Sequence, residues 1–450
     1  MRFELTKKYL ENFQDAIASQ NNTWIAENVL ELHDVDVAII INALDRDEAE
    51  YLYSTLSDEL QGEVLTELDD EVRDRLLKTF SSKEIAEQIE NLDSDDAVDV
   101  IGELESSQIE EVISHITDRE AAQEIVDLLH YDEDTAGGLM QKEFIQANKD
   151  WPVNRCIVEL RKQAESVEKV FTIYVVDDNN VLVGFLSLKR LLFAEVTTKI
   201  SDLYQDKNMI SVKTGVDNEE VARIMEKYDL VSIPVVDLLG KLIGRITIDD
   251  VLDVIKEEAD KDFQMASGLS EKIEASSSVW KISRARIPWL TIGMIGGMLG
   301  AWVIVGFEDG IGKVPALAFF IPLITAMGGN VGVQSSAIVV QALARGGSQF
   351  GSIWKKLGKE ALVALINGLL LSIIVYAITL FFGSSTLGLV VSVSLFTVTL
   401  FAAVFGTLIP LVLDKYNIDP ALATGPFITT LNDVLGLFIY FTIGMLFYGI

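Results

Sequence analysis

Histidine and cysteine are nearly absent from this chain of 450 residues, which contains three histidines and one cysteine, Cys156. A single cysteine excludes an internal disulfide, and there is no cysteine cluster that could hold zinc. The histidines, His33, His115 and His130, all precede residue 131, and no nucleophile stands with a base in an arrangement typical of catalysis. We therefore expect a protein that is not an enzyme.

Basic residues are scarce in the first 280 positions. Residues 281–450 contain six acidic and nine basic residues. The other 62 acidic and 27 basic residues belong to residues 1–280, which therefore carry a net charge of −35. This excess argues against nucleic acid as a partner and favours cations, although solubility alone also explains part of it. The first residues, MRFELTKKYLENFQD, are too polar for a signal peptide.

Charges are also rare in five apolar runs, each long enough to cross a bilayer. Five such runs in succession predict membrane-spanning helices in contact with lipid rather than buried helices of a large soluble core. Basic segments precede the first run and follow the second, so we expect these segments and the acidic N-terminal part in the cytoplasm, and the C-terminus outside the plasma membrane. The predicted spans are residues 287–307, 314–343, 361–382, 387–413 and 421–447.

Residues 32–129 repeat every twelve positions. Each unit contains two apolar residues nine positions apart and, after the first, a residue type that favours a helix N-cap. The pattern predicts a turn and a short helix per unit, stacked into an α-superhelix because no unit can bury its apolar face alone. The predicted N-caps are Asp45, Ser57, Asp69, Ser81, Asp93 and Thr117.

A second repeat has a spacing of sixty. The segment IYVVDDNNVLVGFLSLKRLL at 173–192 aligns without a gap with IPVVDLLGKLIGRITIDDVL at 233–252. Each copy predicts a buried strand, a turn, a second strand with a glycine, and a helix start, and an amphipathic helix precedes each copy.

This duplication resembles a tandem pair of CBS modules over residues 138–256. In that family a Gly-x-x-Ser/Thr-x-x-Asp motif places a carboxylate on a ribose, and the second copy retains it as Thr247 and Asp250. The first copy has Arg190 in place of the acid. The resemblance therefore implies at most one good nucleotide site, for ATP, and a purely structural pair is the open alternative.

Two acidic segments lie in the cytoplasmic part. One is a predicted helix that follows the second CBS module and ends at Gly268, a residue type that favours a helix C-cap. Rows of carboxylates without matching bases are either solvated faces or sites for a hard divalent cation such as Mg²⁺, and we favour the cation site. The acids of the helix are Asp249, Asp250, Asp253, Glu257, Glu258 and Asp262.

The second acidic segment, NLDSDDAVDV, falls in the superhelix. Its acids are Asp93, Asp95, Asp96 and Asp99. N-capping and the helix dipole explain the first of them, but not all four. If this segment faces the acidic helix, the two surfaces repel until a divalent cation lies between them, because one charge pair about 4 Å apart is worth about 1–4 kcal/mol.

Asp433 is the only charged residue between positions 421 and 447. A charge at bilayer depth costs at least about 2.5–3.5 kcal/mol on the insertion scale, so it requires a compensating role. Five helices are few to enclose a channel, but a pore on a twofold axis between two copies needs one acid per chain. The second span adds a polar, glycine-rich patch, with Pro315 and Pro322 as predicted interruptions, which favours a pore wall over helix packing alone.

Four segments of the apolar part, RARIPWL, PLITAMGGNVGVQSS, KEALVALINGL and IDPALATGPFITTLNDVLGLFIYF, resemble the MgtE-type magnesium channels. The resemblance covers nearly the whole chain and implies a homodimeric Mg²⁺-selective channel whose pore lies at the dimer interface. It implies Asp433 as the selectivity carboxylate and the acidic helix as a plug that cytoplasmic Mg²⁺ holds closed. The other candidate pore residues are Asn432, Thr429, Asn330 and Gly329, and Asp419 joins the regulatory acids.

The predicted fold is multidomain. We expect an acidic α-superhelical domain at 1–131, a tandem α/β CBS pair at 132–200 and 201–256, a connecting plug helix at 248–270, and a five-helix transmembrane domain at 271–450. Two other functions stay open: a broader divalent carrier of the Co²⁺ type, and a membrane-anchored nucleotide sensor whose spans only dimerise it.

Overall fold

The computed structural model divides the chain into two compact units, Met1–Lys256 and Glu257–Ile450. It describes residues 3–450 except 31, 91, 165–166, 168–169, 171, 208, 271–272, 274–276, 345–352, 382–383, 417 and 424. Residues 345–352 of the basic segment predicted after the second span, and Phe382 at the predicted end of the third, therefore lie outside the described residues.

Ten short helices form the N-terminal part of the first unit. From α3 to α9 a new helix begins every twelve residues, as the repeat predicts, and the second apolar residue of each unit from Ile41 to Ile101 is buried in one core. The helices are α1 (Lys7–Ala18), α2 (Asn22–Val29), α3 (Asp34–Asn42), α4 (Arg46–Ser54), α5 (Asp58–Thr66), α6 (Asp70–Leu77), α7 (Ser82–Ile89), α8 (Ser94–Gly102), α9 (Ser106–His115) and α10 (Arg119–Leu128).

Five of the six predicted N-caps precede a helix in the structure: Asp45, Ser57, Asp69, Ser81 and Asp93. The prediction of Thr117 for α10 is wrong. Asp118 is the N-cap, and its carboxylate accepts from the backbone N–H of Glu120 at 2.7 Å. Thr117 instead donates its own backbone N–H to Glu90 at 3.2 Å, so its polar groups are used before the helix begins.

The sixty-residue repeat folds as two three-stranded sheets of the same topology. In each sheet the first strand is parallel to the second, and the second is antiparallel to the third. Glycines at equivalent positions, Gly184 and Gly244, stand opposite valines of the middle strand. The elements are β1 (Ile145–Asn148), α11 (Val153–Gln163), β2 (Ile173–Val176), β3 (Leu182–Leu186) and α12 (Leu188–Phe193), then β4 (Val212–Lys213), α13 (Asn218–Tyr228), β5 (Ser232–Val236) and β6 (Leu242–Thr247).

Helix α14 (Ile248–Ala266) follows β6 directly, and the boundary between the two units falls inside it. The helix ends at Ala266, and the predicted Gly268, which has a φ of +84°, terminates it two positions later. The N–H of Gly268 donates to Met265 and that of Leu269 donates to Gln264, the double hydrogen bond of a Schellman cap. A residue with a side chain would be strained at this φ, so the glycine determines where the helix stops.

Among the described residues of the second unit, five helices are long and apolar enough to cross a membrane, as predicted. Pro315 begins a 3₁₀ segment (Pro315–Phe320) that interrupts the second span, but Pro322 lies in the first turn of the next helix, where proline is tolerated, and the glycine-rich patch is continuous α-helix. The helices are α15 (Val279–Gly306), the short α16 (Glu308–Lys313), α17 (Ile321–Ala344), α18 (Ile353–Leu380), α19 (Ser385–Lys415) and α20 (Gly425–Tyr448).

Glycines let these helices approach closely. A Cβ on Gly406 of α19 would collide with the backbone carbonyl oxygen of Gly332 on α17, whereas a Cβ on Gly297 of α15 would meet no atom within 4 Å. Small residues at such crossings allow the backbone contact that holds membrane helices together.

We expect Gly406→Ala to lower the melting temperature of the purified chain in detergent, because α17 and α19 must move apart, at a typical overpacking cost of about 1–3 kcal/mol. Gly297→Ala, which introduces the same methyl group without a contact, is the control. Equal melting temperatures for the two variants, measured by tryptophan fluorescence, would contradict the packing described.

Candidate functional site

The acids of helix α8 face the start of α14 within the first unit. Burial is the main cause that raises the pKa of Asp96, to about 7, and Asp250 contributes next. Burial and then Asp250 also raise the pKa of Asp95 well above its usual value. The structure therefore brings together members of two predicted clusters, Asp96 and Asp250, which are 154 positions apart in the sequence, and like charges meet there with little solvent to screen them.

Hydrogen bonds hold Asp250 and Asp95 in this group. Asp250 Oδ2 accepts from the backbone N–H of Thr247 at 3.1 Å and from its hydroxyl at 2.5 Å. Asp95 Oδ2 accepts from Gln141 at 3.2 Å, and Gln141 in turn accepts from Arg245 Nε at 2.7 Å. Asp95 Oδ1 is buried without a hydrogen-bond partner among the described residues. A buried, unpartnered carboxylate oxygen is costly unless a proton or a cation satisfies it.

A second acidic group lies in the other unit, near the end of α14. Burial and then Asp419 and Glu258 raise the pKa of Asp262. Asp419 precedes the last span, and its carboxylate accepts from the backbone N–H of Ala421 at 2.8 Å. Six of the predicted regulatory acids thus lie in two groups, Asp95, Asp96 and Asp250 in the first unit and Glu258, Asp262 and Asp419 in the second.

The C-terminal end of α14 contacts the start of α20. A Cβ on Gly425 would collide with the carbonyl oxygen of Ala266, and one on Gly268 would lie 2.9 Å from the Pro426 ring. Ser270, just after the helix, donates its backbone N–H and hydroxyl to Ala285 of α15 at 3.1 and 3.0 Å. The C-terminal end of α14 therefore packs against α20, the helix that carries Asp433.

Asp433 lies on the side of α20 that faces the glycine-rich part of α17. Its Oδ1 would be 3.6 Å from a Cβ built on Gly329, and Thr429 Cγ2 would be 2.9 Å from the same position. The neighbouring Asn432 is 2% exposed, packs against Gly332, and has no hydrogen-bond partner for its amide among the described residues. Asn330, by contrast, is exposed in the single chain. The structure thus groups Gly329, Thr429 and Asp433 and leaves Asn330 apart.

Four predicted regulatory acids remain exposed to solvent: Asp99, Asp249, Asp253 and Glu257. Among the residues that the structure describes, no three Asp, Glu, His or Cys side chains converge as a ready-made metal site. A cation bound at these acids would therefore be held partly through its own water molecules, as is usual for Mg²⁺.

Sequence reasoning missed several residues around the first acidic group. Glu67 faces α14, since burial and then Asp253 raise its pKa. Glu143 accepts from the backbone N–H and the hydroxyl of Ser94 at 3.1 and 2.8 Å and so caps α8 in place of Asp93. For Glu67 the sequence contains a signal, because it lies in an acid-rich stretch. The Gln141–Arg245 pair leaves no such signal, because its two residues are 104 positions apart.

Glu124 of α10 provides a measurable pH effect outside the proposed cation sites. Burial and then Glu143 raise the pKa of Glu124 to about 7. Between its usual value and pH 7 the folded state binds more protons than the unfolded state, so stability falls as pH rises. Because Glu124 is half-exposed, we expect the loss of α10 stability to stay below about 1 kcal/mol. Glu124→Gln should abolish this loss in hydrogen-exchange protection of α10 between pH 5 and 7.5, and Glu110→Gln should not; a loss that persists in Glu124→Gln would contradict this account.

Comparison with known proteins locates the chain in a family. Residues 32–134 match the MgtE intracellular N domain, 136–196 and 200–257 the CBS domain, and 321–443 the MgtE divalent cation transporter domain. The magnesium transporter MgtE of Bacillus subtilis is 35% identical over 71% of this chain and 71% of its own length, and that of Thermus thermophilus is 36% identical over 74% of each. The chain belongs to the MgtE family of magnesium transporters.

The MgtE relatives are named as transporters, in agreement with the expectation that the chain is not an enzyme. Inosine-5'-monophosphate dehydrogenases also match, for example that of Halalkalibacterium halodurans at 35% identity, but only over 18% of this chain, within the CBS part. The predicted fold is confirmed: a helical N-terminal domain, a CBS pair and five apolar helices make up a multi-pass membrane protein.

A solved structure from an MgtE protein resembles the N-terminal part of the chain. A crystal structure of the cytosolic domain of the Mg²⁺ channel MgtE in complex with ATP aligns with a TM-score of 0.51 at 31% identity, and covers 54% of this chain and 99% of that one. In the first CBS copy of the present chain, Arg190, a donor without an acceptor, stands where the sequence motif has an acid.

Proposed function

We propose that the chain is a passive Mg²⁺ uptake channel of the plasma membrane, formed by two copies, with the paired Asp433 carboxylates at its narrowest point. The observation that carries this proposal is the position of Asp433, the only charge in the last span, against the glycine-rich part of α17. Intramembrane acids are retained where they serve an ion pathway. A twofold axis would place a second Asp433 opposite the first, which matches the charge of a divalent ion.

Mg²⁺ suits such a pair better than a monovalent cation or a cation that must lose all of its water. It gives up water reluctantly and is bound through one or two carboxylates plus water. The glycines of α17 let Thr429 and Asp433 lie close to its backbone. Thr429 and Asn432 add polar groups next to the carboxylate.

We further propose that cytoplasmic Mg²⁺ closes this channel by binding at the two acidic groups. At low Mg²⁺ the carboxylates of α8 and α14 repel one another, and a bound cation would remove that repulsion. Helix α14 connects to the pore helix through the contacts of Gly268 with Pro426 and of Ala266 with Gly425. A ligand can shift an equilibrium only by its differential affinity for the two states, so the acids must be closer in the closed state than in the open one.

The orientation follows from the charges at the ends of the spans. Lys281, Arg284 and Arg286 precede the first span, and Trp280 beside them is 85% exposed, as expected of an aromatic residue at a lipid interface. We therefore infer a cytoplasmic N-terminus and an external C-terminus.

Flux into liposomes tests this function. Purified protein in vesicles with an Mg²⁺-sensitive dye should take up Mg²⁺ down its gradient, without dependence on a proton gradient, and uptake should stop when Mg²⁺ is raised on the cytoplasmic side. Absence of flux, or flux that requires a proton gradient, would contradict the proposal. Competition by Co²⁺ and Ca²⁺ in the same assay addresses the broader candidate, since the matching membrane domain is described as a divalent cation transporter.

The CBS pair is the proposed nucleotide-binding part, in line with the ATP complex of the related cytosolic domain. Thr247 and Asp250 of the second copy were the residues predicted for this role. In the structure the Thr247 hydroxyl donates to Asp250 Oδ2 at 2.5 Å, and Asp250 also faces the acids of α8. Nucleotide binding by these two residues stays a prediction.

A further inference from the structure

Gln141 is held by Arg245 through both its backbone and its side chain. The backbone N–H of each residue donates to the carbonyl oxygen of the other, at 2.9 and 3.0 Å, and Arg245 Nε donates to Gln141 Oε1 at 2.7 Å. Each of the two residues is 4% exposed. Three hydrogen bonds and burial therefore leave the Gln141 side chain little freedom to move.

The arginine also determines which way the Gln141 amide points. An amide has a donor nitrogen and an acceptor oxygen in nearly equivalent positions, whereas arginine has donors only. The amide oxygen must therefore face Arg245, and the amide nitrogen then faces Asp95, to whose Oδ2 it donates at 3.2 Å. In the reversed orientation two acceptors would meet at Asp95 and two donors at Arg245, so only one orientation is compatible with both neighbours.

This orientation decides how the buried carboxylate of Asp95 is presented. Among the described residues, Oδ2 accepts from the Gln141 amide, while Oδ1 has no hydrogen-bond partner. One donor on one oxygen restrains rotation of the carboxylate and leaves the other oxygen for a ligand. Because Asp250 adds its negative charge to the same group, the ligand that fits Oδ1 is a proton or a cation.

We propose that Gln141 and Arg245 are positioning residues for the regulatory cation. Arg245 orients the Gln141 amide, and the amide holds Asp95 so that its Oδ1 binds Mg²⁺ or one of the water molecules of the ion. Neither Gln141 nor Arg245 binds the cation itself. The inference rests on the closure by Mg²⁺ proposed above and extends the first acidic group by two residues that carry no negative charge.

Gln141→Met tests the amide in the full-length chain. Methionine is unbranched and of similar length, but it has no donor for Asp95. We expect the Mg²⁺ concentration that half-inhibits uptake into liposomes to rise at least about tenfold, because a hydrogen bond to a charged group is lost. Unchanged half-inhibition in this variant would overturn the proposal.

Two substitutions of Arg245 test the orientation of the amide. Arg245→Gln introduces a side chain that accepts as well as donates, so Gln141 can turn, and half-inhibition should rise as it does in Gln141→Met. Arg245→Lys retains a side chain with donors and no acceptor, so half-inhibition should change less than in Arg245→Gln. Equal half-inhibition in the two Arg245 variants would overturn the role assigned to the arginine.

A double-mutant cycle shows whether Gln141 acts through Asp95. Asp95→Asn by itself should raise the half-inhibition concentration. Addition of Gln141→Met to Asp95→Asn should have no further effect, because the carboxylate that the amide holds is already gone. Additive effects of the two substitutions would show that Gln141 acts elsewhere and would count against the proposal.

A second measurement distinguishes positioning from general stability. Mg²⁺ that binds the folded chain raises its melting temperature, and we expect this increase to be smaller in Gln141→Met in detergent. The matched control is Gln61→Met, because Gln61 is also buried and its amide donates to the carbonyl oxygen of Tyr53 at 3.1 Å. Gln61→Met should lower the melting temperature without Mg²⁺ and retain the Mg²⁺-induced increase. An equal loss of that increase in both variants would mean that Gln141 has only a structural role.

The melting measurement requires no transport, so two kinds of failure give different results. Absence of Mg²⁺ flux, or of closure by Mg²⁺, in the unaltered chain would contradict the proposed function. A normal Mg²⁺-induced increase in the melting temperature of Gln141→Met would contradict the positioning role alone.

Discussion

The Asp433→Asn variant is expected to reduce Mg²⁺ uptake into liposomes by at least about tenfold, because a pore that selects cations by a ring of carboxylates loses its charge. Asparagine retains the shape and packing of the side chain beside Gly329, so the substitution tests charge rather than volume. The measurement is the initial rate of dye response under an Mg²⁺ gradient, with equal amounts of protein in each vesicle preparation.

Two further variants make the result interpretable. Asp309→Asn removes an acid from the short helix between the first two spans and should leave uptake unchanged. Asp433→Glu retains the charge on a longer side chain and should conduct measurably, although less than the unaltered chain. If Asp433→Asn has a normal melting temperature and elution volume and still transports Mg²⁺ at the normal rate, Asp433 is not the selectivity residue.

Local patterns predicted most of the fold. The twelve-residue period specifies helices because it combines a turn with about two helical turns and one apolar stripe, and the structure has α3 to α9 at that spacing. The sixty-residue period predicted both CBS sheets, since strand, glycine and helix recur at equal distances. Thr117 was assigned wrongly as an N-cap because Asp118 beside it is also a capping residue, and only the contact of Thr117 with Glu90 decides between them.

The candidate sites could be predicted only in part. Hydropathy identifies Asp433, because a single charge in an apolar run can be recognised without knowledge of the structure. Two hydrogen bonds, one between Gln141 and Asp95 and one between Arg245 and Gln141, could not be predicted. They depend on how the superhelix packs against the second CBS module. Gln141 belongs to no motif, and Arg245 occupies an unspecified position of the motif that ends at Asp250.

The second large effect concerns closure by Mg²⁺. We expect the double variant Asp96→Asn/Asp250→Asn to keep transporting at cytoplasmic Mg²⁺ concentrations that stop the unaltered chain, with a half-inhibition concentration at least about tenfold higher, as for the loss of about 1.4 kcal/mol of cation binding. The measurement is uptake as a function of Mg²⁺ on the cytoplasmic side.

Two effects of these substitutions oppose each other, and the assay separates them. Removal of two negative charges lowers the repulsion between α8 and α14, which by itself favours the closed arrangement. It also removes the carboxylates that would bind the cation, and amides bind Mg²⁺ far less well than carboxylates do. We expect the second effect to dominate. The carboxylates of Asp96 and Asp250 are largely buried, so bringing them together costs free energy unless a cation lies between them.

Closure that no longer depends on Mg²⁺ would show that the acids act only by repulsion. That outcome would contradict the proposed cation site while leaving the pore assignment intact. The control is the pair Glu110→Gln/Asp202→Asn, which removes two acids from the same unit outside the acidic group and should leave half-inhibition unchanged. Tenfold lower sensitivity in the test pair and normal sensitivity in the control together would place Mg²⁺ sensing at the contact of α8 with the start of α14.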